Sequence, residues 1–230
     1  MTFSERRLSI QSGLMVLTMG VTLSFISDAN AGYCEPGANW SRRQTPIEGV
    51  RNLQLVSEER DQPPGTIRRL YRSAQPADEA FIALRDQLGI RSVLSLSDPD
   101  DEAERLDLQT CHEAKRLGLR TCHVGMRADD VGWSDLRRGI RGDEYKLTVK
   151  ALSILRSELK TGSVLVHCSH GADRTGMIIA LYRVLYQNWS KEEAIREMKC
   201  CCHHHFWFHN IRAFIRLVPV EVLRRDVGVD

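Results

Sequence analysis

With 230 residues, 42% of them hydrophobic and 27% charged, the chain is long enough to bury one substantial core. A formal net charge of +2 excludes the broad basic field that nucleic-acid binding requires, so no nucleic-acid partner is expected and any preference for an anion must be local.

The N-terminus reads as a targeting segment. Arg6 and Arg7 form a basic start, residues 13–26 are mostly apolar, and Ala29-Asn30-Ala31 offers a small-residue cleavage site. Residues 1–31 are therefore expected to be a signal peptide and the protein to be exported, to a periplasm in a bacterial cell. The apolar run is shorter than the ~20 residues of a comfortable membrane span. Retention as an uncleaved membrane anchor is the alternative, and only then would a membrane be a partner. Tyr33 before Cys34 does not suit a lipoprotein cleavage site, and the residues after Arg6-Arg7 fit twin-arginine export poorly.

Residues 32–65 carry Pro36, Gly37, Pro46, Gly49, Pro63, Pro64 and Gly65, the composition of an irregular arm, with 52–56 as a candidate edge strand. The domain proper is expected over 66–230. Leu70-Tyr71-Arg72 leads into a helix over 76–88 that ends at Gly89, and 92–96 forms the next strand. Asp98-Pro99-Asp100-Asp101 places negative charge at the start of a helix reaching Leu117-Gly118. A strand over 119–124 and a polar loop over 125–135 follow. Residues 143–160 then put Tyr145, Val149, Leu152, Leu155 and Leu159 on one stripe. Val164-Leu165-Val166 reads as a buried strand, and a helix opens at Thr175 with the run Met177 to Tyr182. Ser190 and Glu193 form a capping box before Ala194, Ile195 and Met198; a last stripe of Ile211, Phe214, Ile215 and Val218 ends at Pro219. Alternating strands and helices imply an α/β fold: a mostly parallel central sheet flanked by helices in a single domain.

The stretch with chemistry in it is Val164 to Gly176. A strand, a short Gly-containing loop and a helix aim backbone N–H groups and the positive end of a helix dipole into one concavity, which makes an anion cradle. Cys168, at the head of the loop, sits in a field that favours thiolate over thiol. Arg174, six residues on, can close the opposite rim with its planar fork.

His167-Cys168, five residues, then Arg174-Thr175-Gly176 resembles the phosphate-binding loop of the cysteine-based protein tyrosine phosphatase superfamily. Leu70-Tyr71-Arg72-Ser73-Ala74-Gln75-Pro76 resembles a signature of its bacterial dual-specificity-type members. The likeness extends from about Asn52 to Val218. It implies a phosphatase-type domain that hydrolyses phosphate monoesters with neither metal nor organic cofactor. Cys168 would be the nucleophile, and Ser169, His170, Gly171, Ala172, Asp173 and Arg174 would hold the phosphate. His167 would point away from substrate and orient the loop. Thr175 would cap the helix, either alone or while also donating to the sulfur as it leaves.

The leaving oxygen needs a proton, so a carboxylic acid must come from another loop. Asp129 and Asp130 lie upstream of Cys168, where the family places its general acid; Asp129 is favoured, and Asp98 is the weaker third candidate. The Trp-Pro-Asp pattern of larger tyrosine phosphatases is missing. Phosphoinositide phosphatases of the superfamily carry lysines inside the loop, whereas here Ser169, His170, Ala172 and Asp173 occupy it. That favours a phosphorylated protein, phosphotyrosine first, over a multiply charged lipid. A lipid or carbohydrate phosphatase, a non-catalytic phosphate-binding module and a sulfur-transfer domain are the rivals.

There are seven cysteines, and export would expose them to oxidation. Cys111 with Cys122, and Cys34 with the group Cys200, Cys201 and Cys202, are possible pairs, and at least one disulfide is expected outside Cys168. Cys200 to His205 is dense in metal-ligand types, but six adjacent residues cannot converge on one ion, so no metal site is assigned.

Overall fold

The computed structural model describes residues 47–60, 65–97, 113–127, 142–201 and 209–229. Five strands form one sheet: β1 (Gln54–Arg60), β2 (Ile67–Ala74), β3 (Ile90–Ser95), β4 (Arg120–His123) and β5 (Ser163–Cys168). Their spatial order is β1-β2-β5-β3-β4; β1 runs antiparallel to β2, and every other pairing is parallel. The expected α/β fold with a mostly parallel sheet is the one found. Among the described residues the helices are α1 (Ala80–Leu88), α2 (Asp143–Leu159), α3 (Arg174–Tyr186), α4 (Lys191–Cys201), α5 (His209–Leu217) and α6 (Val220–Val227). Among the described residues no helix is long and apolar enough to cross a membrane.

β5 is the central strand, and all six of its residues are buried. That is why Val164-Leu165-Val166 reads as a continuous apolar run instead of an alternation. The period of two nevertheless divides the core. Leu70, Leu94, Val164 and Val166 face a cluster built with α2, α3, α4 and α5. Tyr71, Val93 and Leu165 face the other way, onto Phe81 and Leu84 of α1 and onto Ile47, Val50 and Leu53. α3 is buried along its length, from Arg174 to Leu185, so its apolar residues are not confined to one stripe.

Local signals held where their partners are local. Gly89 caps α1 in the left-handed region. Ser190 and Glu193 bond reciprocally, with Ser190 N–H donating to Glu193 Oε2 (2.8 Å) and Glu193 N–H donating to Ser190 Oγ (3.2 Å). Three expectations need correction. Residues 47–60 belong to the domain and not to an arm before it, because β1 pairs along β2 and Leu53 is fully buried. α1 begins at Ala80 instead of 76, since the N–H of Ala77 is spent on the carbonyl of Gly49 (2.9 Å). The chain does not end its helices at Pro219: that residue caps α6, which docks on α2 through Tyr145 Oη donating to Asp226 Oδ2 (2.8 Å). Of the helix expected from 98 to 118, residues 113–116 are the described helical part.

One buried ion pair ties the helical face together. Arg183 of α3 donates through Nη2 to Glu197 Oε1 of α4 (2.6 Å), through Nη1 to the carbonyl of Val56 (2.9 Å), and stacks 4.4 Å over the Trp189 ring. The two side chains are 4% and 13% exposed, so removing one partner strands a charge in the interior. Glu197→Gln should therefore lower unfolding stability by about 3–5 kcal/mol in urea titrations. Glu192→Gln, which breaks an exposed pair with Arg216, should cost less than about 1 kcal/mol. Equal losses in the two variants would contradict this reading.

Candidate active site

β5 ends at Cys168 and α3 begins at Arg174, so the loop of 169–173 spans the C-terminal edge of the sheet at its central strand. Strand alternation sends Cys168 to the face of Val164 and Val166. His167, one residue earlier and fully buried, falls on the opposite face with Leu165. Cys168 is a free thiol, 1% exposed. Within the loop Ser169 is half-buried and His170 exposed, while Gly171, Ala172 and Asp173 are buried.

Every loop carbonyl after Cys168 has a donor outside the concavity. The carbonyl of Ser169 takes the N–H of Gln75 in a long contact (3.5 Å), that of His170 takes Asn52 Nδ2 (2.7 Å), and that of Gly171 takes Arg72 Nη2 (2.7 Å). The carbonyls of Ala172 and Asp173 enter the helix ladder, bonding the N–H groups of Gly176 (3.0 Å) and Met177 (2.8 Å). In a planar trans peptide the C=O of one residue and the N–H of the next point in opposite directions. Tying these five carbonyls outward turns the N–H groups of residues 170 to 174 inward. Gly171 is required for this: its φ is +70°, and a Cβ there would lie 2.3 Å from the carbonyl oxygen of Ser73.

Arg174, 7% exposed, donates through Nη1 to the carbonyl of Met126 (3.2 Å) and through Nη2 to Ser169 Oγ (3.1 Å). It therefore spans from the loop's own first residue to the segment that leaves β4. Asp129, Asp130 and Asp98 lie outside the described residues. Thr175 does not cap the helix. The cap position is Asp173, and the buried Thr175 hydroxyl has no hydrogen-bond partner among the described residues, Cys168 included. Asp173 is only 9% exposed, so its carboxylate is largely withdrawn from solvent.

Cys122 is a free, half-buried thiol on β4, so the pairing with Cys111 is not formed; burial, and then the nearby Glu158 charge, push this thiol up. Cys34, Cys111 and Cys202 to His205 lie outside the described residues, and Cys200 and Cys201 close α4.

The residues that sequence reading missed are Arg72 and Asn52, whose side chains hold two of the five carbonyls. Arg72 had a signal: a cation in a strand that is buried from Leu70 to Ala74. Asn52 had a weaker one, an asparagine near Gly49 in a turn, where it adopts φ +60°.

Residues 65–219 match the family model described as the tyrosine phosphatase family. The dual specificity protein phosphatase TpbA of Pseudomonas aeruginosa is 30% identical over 130 residues, which cover 56% of this chain and 50% of that protein. The inositol diphosphatase SIW14 of Saccharomyces cerevisiae is 29% identical over 170 residues, 72% of this chain and 54% of that one. The chain thus spans about half the length of the curated relatives it matches. Among solved structures, TpbA superposes with a TM-score of 0.50 at 27% identity, covering 69% of this chain and 86% of the other. The catalytic core of SIW14 bound to citrate superposes with 0.55 at 25%, covering 80% and 94%. A TpbA variant has been solved with phosphotyrosine, and it matches with a TM-score of 0.50 at 26% identity. This chain belongs to the tyrosine phosphatase family.

Proposed function

We propose that this protein hydrolyses phosphate monoesters, phosphotyrosine in proteins first and phosphoserine or phosphothreonine next, through a phosphocysteine on Cys168. The observation that carries the reading is the outward tethering of all five loop carbonyls, which leaves a ring of N–H donors beside a buried free cysteine. Such a ring matches the three equatorial oxygens of a phosphoryl group in flight, where charge is spread and where fixed donors act without reorganising. The Cys168 thiolate attacks phosphorus in line and the P–O bond to the substrate breaks. The departing oxygen takes a proton from Asp129. Water then attacks the phosphocysteine, gives its proton back to Asp129, and phosphate leaves with the thiolate restored. Arg174 exchanges the Met126 carbonyl for two phosphate oxygens, a stronger, charge-assisted pairing. His167 acts from the far face of β5 on the loop's geometry.

A second reading, an inositol or lipid phosphate as substrate, draws support from the SIW14 relative. The absence of lysine from 169–173 and the single exposed imidazole of His170 weigh against a polyanionic head group. Residues 1–31 are proposed to direct export, and N-terminal sequencing of the mature protein should begin near Gly32; a start at Met1 would favour an anchor or retention.

Cys168→Ser should abolish turnover of p-nitrophenyl phosphate yet keep a phosphotyrosine peptide bound. Iodoacetate should label Cys168 in the wild-type protein, and inorganic phosphate or vanadate should block the label. Full activity in Cys168→Ser would end the mechanism, and preferred turnover of inositol phosphates over phosphotyrosine peptides would select the second reading.

Asp129→Asn should slow hydrolysis of alkyl and tyrosyl phosphates by about 10²–10⁴-fold and slow aryl phosphates with good leaving groups much less. The same pattern in Asp130→Asn, with Asp129→Asn unaffected, would move the assignment by one residue.

A further inference from the structure

Arg72 is the residue around the loop that this mechanism leaves without a role. It is 2% exposed and heads the fully buried side chains by volume. Its position on β2 is in register with Val166 of β5, two residues before the pair Ala74 and Cys168. Strand alternation therefore puts its side chain on the face of Val166 and Cys168, directly beneath the loop. There Nη2 donates to the Gly171 carbonyl at 2.7 Å, and it lies 3.4 Å from where a Cβ on Gly176 would stand, in the first turn of α3. Its buried Nε meets no acceptor, and no carboxylate among the described residues pairs with it.

A guanidinium is always charged, and holding one out of water with a single hydrogen bond and no counter-ion among the described residues is costly. A packing role explains neither the choice of a cation nor its aim at one peptide of the loop. A place beside it where negative charge fits is the concavity on the other side of Gly171. We propose that Arg72 is a positioning residue for phosphate. It pins the peptide between Gly171 and Ala172 so that the Ala172 N–H faces the anion, and from beneath the loop it supplies a fixed positive charge that the bound dianion balances. It never touches the substrate and acts through Gly171. This inference rests on the phosphatase reading above.

The test uses the full chain carrying Arg72→Lys, Arg72→Gln or Arg72→Met, each made with Cys168 intact and with Cys168→Ser. Titration calorimetry with inorganic phosphate in the Cys168→Ser set reads anion binding without turnover or thiolate. Arg72→Gln and Arg72→Met should bind phosphate about 10–100-fold more weakly, as expected for loss of a charged hydrogen-bond donor. Arg72→Lys should recover most of that loss. The rise in Tm on adding phosphate should shrink in the same order, and kcat/KM for p-nitrophenyl phosphate should fall in parallel in the Cys168 set. A purely structural arginine would lower Tm by the same amount with and without phosphate and leave the dissociation constant alone. Folded Arg72→Gln or Arg72→Met with phosphate affinity within twofold of the parent would overturn the proposal, as would failure of all three variants to fold. If the parent protein itself neither binds phosphate nor turns over substrate, the phosphatase reading fails and takes this one with it. If the parent does both and the variants match it, only the role of Arg72 is lost.

Discussion

The peptide group is a dipole with two ends, and a loop that offers one end to an anion must find somewhere to put the other. Turning the N–H groups of residues 170 to 174 inward commits the carbonyls of residues 169 to 173 outward, and a buried carbonyl without a donor is as costly as an unmade hydrogen bond. The helix takes care of the last two. The first three depend on donors from elsewhere: Gln75 past the end of β2, the Asn52 amide in the turn before β1, and Arg72 within β2. Much of the architecture around β5 serves to deliver them. β2 lies parallel beside β5, so its exit passes under the loop close enough that only glycine fits at 171. The turn of 47–53 is fastened to that exit by the Ala74 N–H on the Arg51 carbonyl (2.8 Å) and the Ala77 N–H on the Gly49 carbonyl (2.9 Å), which holds Asn52 against His170.

The same dependence explains which parts of the molecule could be read in the sequence. The strand, cysteine, loop and helix from Val164 to Gly176 are contiguous, so their chemistry is visible in a row of residues. The capping box of Ser190 and Glu193 and the cap at Gly89 are equally local. Arg72 and Asn52 meet their partners across 99 and 118 residues, and no periodicity or spacing encodes such a contact. β1 was seen only as 52–56 because Ser57-Glu58-Glu59-Arg60 is polar, as befits an edge strand with one side in water. α6 was missed because proline both stops one helix and starts another; what decides is whether the next turn has something to pack on, here Leu223 in the core and Asp226 on Tyr145.

Position along the sheet also gathers the strand ends around Cys168 at one edge. The N–H of Val124 bonds the carbonyl of Ser95 (2.9 Å), the N–H of Leu96 bonds that of His167 (2.8 Å), and Arg174 reaches the carbonyl of Met126. Three neighbouring parallel strands thus release their C-terminal loops at one edge, the place where open α/β sheets bind ligands. Arg174 is the group that would feel both loops at once. Its hold on Met126 ties the two segments together, and an anion competing for the same fork would loosen that tie while it binds.

Among the described residues three arginines are buried, and they differ in their partners. Arg183 is 4% exposed and has a carboxylate on Glu197 and an aromatic face on Trp189, so its charge is balanced inside the fold. Arg72 and Arg174, 2% and 7% exposed, reach backbone carbonyls and one serine hydroxyl, and neither has a carboxylate among the described residues. Uncharged oxygens satisfy donors but do not cancel a charge, and in a low-dielectric interior that difference is large. A fold selected for stability alone would give these two positions a carboxylate or replace them with apolar side chains. Both cations border the same loop, one at its rim and one beneath it, in a chain whose net charge is only +2. The imbalance is therefore local to that loop.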